Sequence, residues 1–150
     1  MNCSVARTLE VIGEWWTMLV VREAFNGVRR FDDFQARLGI ARNVLATRLQ
    51  SLVDHGILER RLYQEHPQRF EYRLTEKGFD LYPVLISLMQ WGDKWQSGPE
   101  GPPVVLTHEK CGHTPEPALI CTHCNQPLAP REVRAQMMPF ARNQPVARTV

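Results

Sequence analysis

Ala41-Arg42-Asn43-Val44-Leu45-Ala46-Thr47-Arg48-Leu49-Gln50-Ser51-Leu52-Val53-Asp54-His55-Gly56 is the stretch on which the fold turns. Leu45, Leu49, Leu52 and Val53 recur at the spacing of one side of an α-helix, and Gly56 supplies its stop. Arg42, Asn43, Ala46 and Thr47 lie on the other side, near the N-terminal end. One face of this helix has a core to join, and the opposite face carries groups that suit a partner.

Upstream, Phe31, Phe34 and Leu38 mark a short helix that closes at Gly39, so a tight turn joins two helices. Before them, Val5, Leu9 and Ile12 predict a helix from Ser4 to Ile12, with Ser4 as its N-cap. After Gly13, Trp16, Leu19, Val20 and Phe25 define the apolar side of a second helix that ends at Asn26-Gly27. Downstream, Glu59 to Tyr63 and the return through Phe70, Tyr72 and Leu74 read as a hairpin about the turn His66-Pro67-Gln68. Thr75-Glu76-Lys77-Gly78 restarts a helix that runs through Leu81, Leu85, Leu88, Met89, Trp91 and Trp95, with Pro83 kinking or restarting it. Helices of which two are joined by a tight turn, then a two-stranded hairpin and a further helix, are the order of a winged helix-turn-helix, a mainly α (α+β) fold.

That order gives the polar face of the fourth helix its meaning. Arginine forks match guanine acceptors, asparagine matches the adenine edge, and alanine or threonine methyls lie against thymine. Arg42 and Asn43 lead the candidates for base contact, with Ala46 and Thr47 beside them. Arg48 borders the core side, where either a phosphate or a nearby carboxylate would satisfy it. Arg69 is the wing candidate for a phosphate or a minor groove, whereas His66-Pro67 reads as turn chemistry. The formal charge of +2 is too small to name a polyanion partner. The basic residues from Arg29 to Arg73 are nonetheless all arginine, the side chain suited to forked recognition.

These residues resemble the HxlR family of bacterial winged-helix regulators. The likeness is carried by Cys3-Ser4-Val5-Ala6, Ile12-Gly13-Glu14-Trp15-Trp16-Thr17, Leu45-Ala46-Thr47-Arg48-Leu49 with Leu52, Gly56-Ile57-Leu58, and the wing from Arg69 to Gly78. It spans nearly all of residues 1–97. The resemblance implies a transcriptional regulator that binds double-stranded DNA at a two-fold operator, as a homodimer built from the first and last helices. Ala41 departs from the family's habit of a serine there, which removes an N-cap worth about 1 kcal/mol. The apolar surface of the last helix, Trp91 and Trp95 included, gives dimerisation a physical motive. The alternative is that these tryptophans pack onto the first helix or the C-terminal segment. Some members of the family are thought to sense oxidants or electrophiles near the N-terminus. Cys3 is the matching candidate, since first-turn amides and Arg7 favour a reactive thiolate; an inert buried thiol is the other reading.

Gly98 to Pro103 is a Gly/Pro-rich linker that closes the 1–97 domain. Residues 104–130 beyond it resemble a small zinc ribbon. His108 and Cys111 form one pair, Cys121 and Cys124 another, each with two residues between its members, and His113 is the rival histidine. Structural zinc fits this spacing, and simple packing of reduced side chains is the alternative. The segment also raises a rival function, a protein-interaction module without salt-sensitive DNA affinity. Residues 131–150 show no strong apolar period and read as a flexible tail. No glycine-rich phosphate loop, nucleophile elbow or paired acid motif points to an enzyme. No secretory signal is visible, and Trp15 to Val21 is too short to cross a bilayer, so the cytoplasm is the expected compartment.

Overall fold

The computed structural model describes residues 3–135. Of the segment read as a flexible tail, residues 136–150 lie outside the described residues. The described chain divides into two compact units between Val105 and Leu106, a few residues past the expected linker.

In the first unit, α1 (Ser4–Ile12), α2 (Trp15–Phe25), α3 (Phe31–Leu38) and α4 (Arg42–Asp54) precede the antiparallel strands β1 (Leu58–Gln64) and β2 (Arg69–Leu74). A one-turn helix, α5 (Glu76–Phe79), leads into α6 (Tyr82–Trp95). This is the winged helix-turn-helix order the sequence predicts. The core is assembled from α2, α3, α4 and the base of β1. Val20, Val21, Phe34, Leu45, Leu49, Leu52, Ile57 and Leu58 are all almost fully enclosed.

Local chemistry explains the boundaries. The sequence assigned the cap of α1 to Ser4, but Cys3 holds that position, in extended geometry and with no side-chain hydrogen bond. Ser4 is the first helical residue, and its hydroxyl oxygen instead accepts from the Arg7 guanidinium at 3.5 Å. Glu14 caps α2 through a carboxylate that accepts from the Trp16 amide at 3.0 Å, which moves the start of this helix to Trp15. Pro83 lies in the first turn of α6, where a missing amide costs nothing, so it restarts the helix.

Two devices fix the wing to the helices. The Tyr72 amide donates to the Arg29 carbonyl at 2.7 Å, and Arg30 bridges to Glu71, which pins β2 to the strand-like approach of α3. At the base of the wing, Thr75 caps α5 by accepting from the Gly78 amide, and its hydroxyl donates to the Gly56 carbonyl at 2.6 Å. A Cβ on Gly78 would stand 2.3 Å from the Ile57 carbonyl oxygen, so only glycine permits this approach.

In the second unit, hydrogen bonds fold the chain into two short turns. One spans residues 108–113 and the other residues 121–126. A bridge between Ile120 and Pro127 extends the second turn, and no residue described in this unit is buried.

Candidate nucleic-acid interface

The fourth helix presents the two faces that its sequence divides. Leu45, Leu49 and Leu52 are enclosed, while Arg42, Asn43, Ala46, Thr47 and Gln50 stand exposed on one side. Gln50 was missed by the sequence reading. It continues the same exposed row one turn further, donating to Asp54 at 2.7 Å. Ala41 offers no side-chain cap, which leaves the first-turn amides of α4 without that partner.

Each candidate on this helix has a defined local state. The Arg42 guanidinium stacks 4.6 Å above the Phe31 ring and donates to Asp32 at 3.2 Å and Gln35 at 3.3 Å. Both ends of that ion pair are solvent-exposed, so it contributes on the order of 0–1 kcal/mol and is cheap to exchange for a groove acceptor. The Thr47 hydroxyl donates back to the Asn43 carbonyl at 2.9 Å, leaving the methyl as its free end. Arg48 lies beside a carboxylate, one of the two partners its position allows. Its Nε is buried 3.6 Å from Glu14, at ion-pair range but without a hydrogen bond, and so ties α4 to the cap of α2.

Between α3 and the wing lies a cleft of about 450 Å³, lined among others by Arg30, Asp32, Arg42, Gln68 and Arg69. It brings the wing candidate Arg69 together with Arg42. It also adds Arg30, which the sequence reading passed over and which stacks 4.7 Å above the wing's Tyr63 ring. The only signal for Arg30 was its place in the pair Arg29-Arg30 before Phe31, since contact with the wing depends on strand pairing. At the wing base, the hydrogen bond from Arg73 at 3.0 Å holds the Glu71 carboxyl below its usual pKa, and partial burial opposes this.

Elsewhere, Val5 and Leu9 of α1, and Leu88, Trp91 and Trp95 of α6, are each more than half exposed. Neither tryptophan is covered by α1, as one reading of the sequence allowed. Cys3 is half-buried at the start of α1. In the second unit, His108 Nδ1 lies 3.2 Å from Cys111 Sγ. The Cys121 thiol is held below its usual pKa by the backbone amide of Cys124, then that of His123, and by the Cys124 side chain. Among the described residues no three Cys, His, Asp or Glu side chains stand together as a ready metal site. Nor is any described helix long and apolar enough to cross a membrane.

A helix with a buried apolar side and an exposed polar side, preceded by a tight turn and followed by an anchored hairpin, defines the winged helix-turn-helix class. Residues 11–99 match the HxlR-like helix-turn-helix model, and the chain belongs to that family. It is 49% identical over 136 residues to an uncharacterized HTH-type transcriptional regulator of Mycobacterium tuberculosis, covering 91% of this chain and 86% of the relative. The crystal structure of PA1607, named as a candidate transcription factor, matches with a TM-score of 0.82 and 40% identity, covering 90% of this chain and 94% of its own. The redox regulator HypR in its reduced form matches with a TM-score of 0.59 and 31% identity, covering 63% of this chain and 95% of its own. A match of 136 residues cannot be confined to the first unit, which ends at Val105, so the likeness to the mycobacterial relative extends into the second. The family and these relatives are transcriptional regulators, not enzymes.

Proposed function

We propose that this regulator reads a two-fold operator as a homodimer, laying α4 in the major groove with Arg42, Asn43, Ala46 and Thr47 against base edges. Arg69 and Arg30 hold the flanking phosphates from the wing cleft, and Arg48 positions α4 through Glu14. The observation that carries this reading is the exposed row on the first half of α4, backed by the enclosed leucines of its other side. The two-fold partner is a second copy seated on the exposed apolar residues of α1 and α6, which otherwise leave Leu88, Trp91 and Trp95 in water. Cys3 begins one of these two helices, so oxidation there would act on the spacing of the paired α4 helices. HypR, whose name declares it a redox regulator, supports that choice of stimulus, although Cys3 falls outside the residues matched to the family model.

The test is a titration against the DNA upstream of the protein's own gene at several salt concentrations, for the native chain and an Arg42→Ala, Asn43→Ala variant. Selective, salt-sensitive binding by the native chain is expected, with a loss of about 10-fold to 100-fold or more in the variant, while affinity for random DNA changes little. Sedimentation of a Leu88→Glu variant is expected to give a monomer with weakened operator binding. Equal affinity of the native chain for upstream and random DNA would overturn the reading.

A further inference from the structure

The two turns of the second unit follow one hydrogen-bonding plan. In the first, the Gly112 amide donates to the His108 carbonyl at 2.7 Å, and the His108 amide donates onward to the His113 carbonyl at 2.8 Å. In the second, the Asn125 amide donates to the Cys121 carbonyl at 2.8 Å, and the Cys121 amide donates to the Gln126 carbonyl at 2.9 Å. Residue for residue, the offsets are the same. Each turn is closed by a left-handed residue directly after the cysteine at its fourth position, Gly112 after Cys111 at φ 73° and Asn125 after Cys124 at φ 57°. Glycine is free in that region and asparagine tolerates it, so the asparagine that replaces the more frequent glycine is no obstacle.

The donor atoms match the backbone plan. Zinc bonds of about 2.3 Å to sulfur and 2.0–2.1 Å to nitrogen, at the tetrahedral angle, place two ligands about 3.5 Å apart. His108 Nδ1 and Cys111 Sγ are 3.2 Å apart, which is close to that edge. Among the described residues of this unit no side chain is buried. Leu119, Ile120 and Leu128 are exposed, and a segment this short needs a staple where it has no core.

We propose that the second unit is a zinc ribbon in which one Zn²⁺ is held by Nδ1 of His108 and the sulfurs of Cys111, Cys121 and Cys124. His108 and Cys111 stand as one pair, and among the described residues no three candidate ligands are gathered into one group. Closing the pairs into a tetrahedron is the work of the ion. Binding deprotonates the three thiols, releases their protons to solvent and leaves the imidazole neutral. Four protein ligands leave no open position, so the metal is structural. Of the two histidines, His108 is chosen because its ring nitrogen faces a sulfur.

The full-length chain, purified anaerobically with zinc present, is expected to hold one zinc per chain by elemental analysis. Replacement with Co²⁺ should give the intense visible and charge-transfer bands of a tetrahedral thiolate site. A Cys121→Ser, Cys124→Ser variant should lose the metal, and His108→Ala should weaken Co²⁺ binding by about 10-fold or more, with His113→Ala unchanged. The thermal transition of the first unit, followed in each variant, shows that the chain remains folded. A native chain with reduced thiols and less than a tenth of an equivalent of zinc overturns the proposal. An octahedral cobalt spectrum or a disulfide joining two of the three cysteines does so as well. Loss of binding in His113→Ala but not in His108→Ala overturns the ligand set. None of these readouts involves DNA, so failure here leaves the operator reading intact.

Discussion

The first unit encloses Phe34, Leu45, Leu49 and Leu52 between its helices and holds its wing by backbone pairing, whereas the second leaves every described side chain at least partly in water and relies on two hydrogen-bonded turns. Both are regular, but the source of their regularity differs. In the first, removal of apolar surface from water pays for order, and polar groups such as Arg42 are left free at the surface to meet a partner. In the second, among the described residues, hydrogen-bonded turns define the shape and no side chain is buried. The relatives differ in how much of the chain they match. HypR matches 63% of the chain, whereas PA1607 and the mycobacterial regulator match about nine-tenths of it.

The contrast is sharpest under truncation of an apolar side chain. Phe34→Ala is expected to lower the unfolding free energy by about 3–5 kcal/mol, because it empties the centre of the core. Leu119→Ala in the second unit should change it by about 0.5 kcal/mol or less. Urea unfolding of both variants, followed by tryptophan fluorescence and circular dichroism, measures the difference. An equal cost in the two would mean that the second unit has a core after all. A smaller effect is expected at the base of the wing. Gly78→Ala forces a methyl against the Ile57 carbonyl and should cost about 1–3 kcal/mol, with wing amides exchanging faster by hydrogen exchange. Opposite in sign is Ala41→Ser. It restores a cap to α4 and should raise stability by about 1 kcal/mol in thermal melts.

Much of the first unit was legible because its signals are local. The apolar period of α4, the stop at Gly56, the hairpin and the restart at Pro83 each follow from a few adjacent residues. The polar row of α4 was legible for the same reason, apart from Gln50, which lies one turn beyond where the reading stopped. What was misread or missed depends on contact between distant residues. Cys3 rather than Ser4 takes the cap position of α1, since where a first turn begins depends on what the helix packs against. Arg48 was left between two partners until Glu14 was brought to it, 34 positions away in sequence. Arg30 joined the site only because β2 pairs with the approach to α3.

Periodicity and turn residues by themselves determined the order of elements and the exposed polar side of α4, since each is set within a turn or two of chain. Only the tertiary structure decided which arginines share the wing cleft, which carboxylate holds Arg48, and that Trp91 and Trp95 stay uncovered by α1. Those outcomes depend on how helices and strands pack, where the energy of one contact is weighed against many others that no local pattern records.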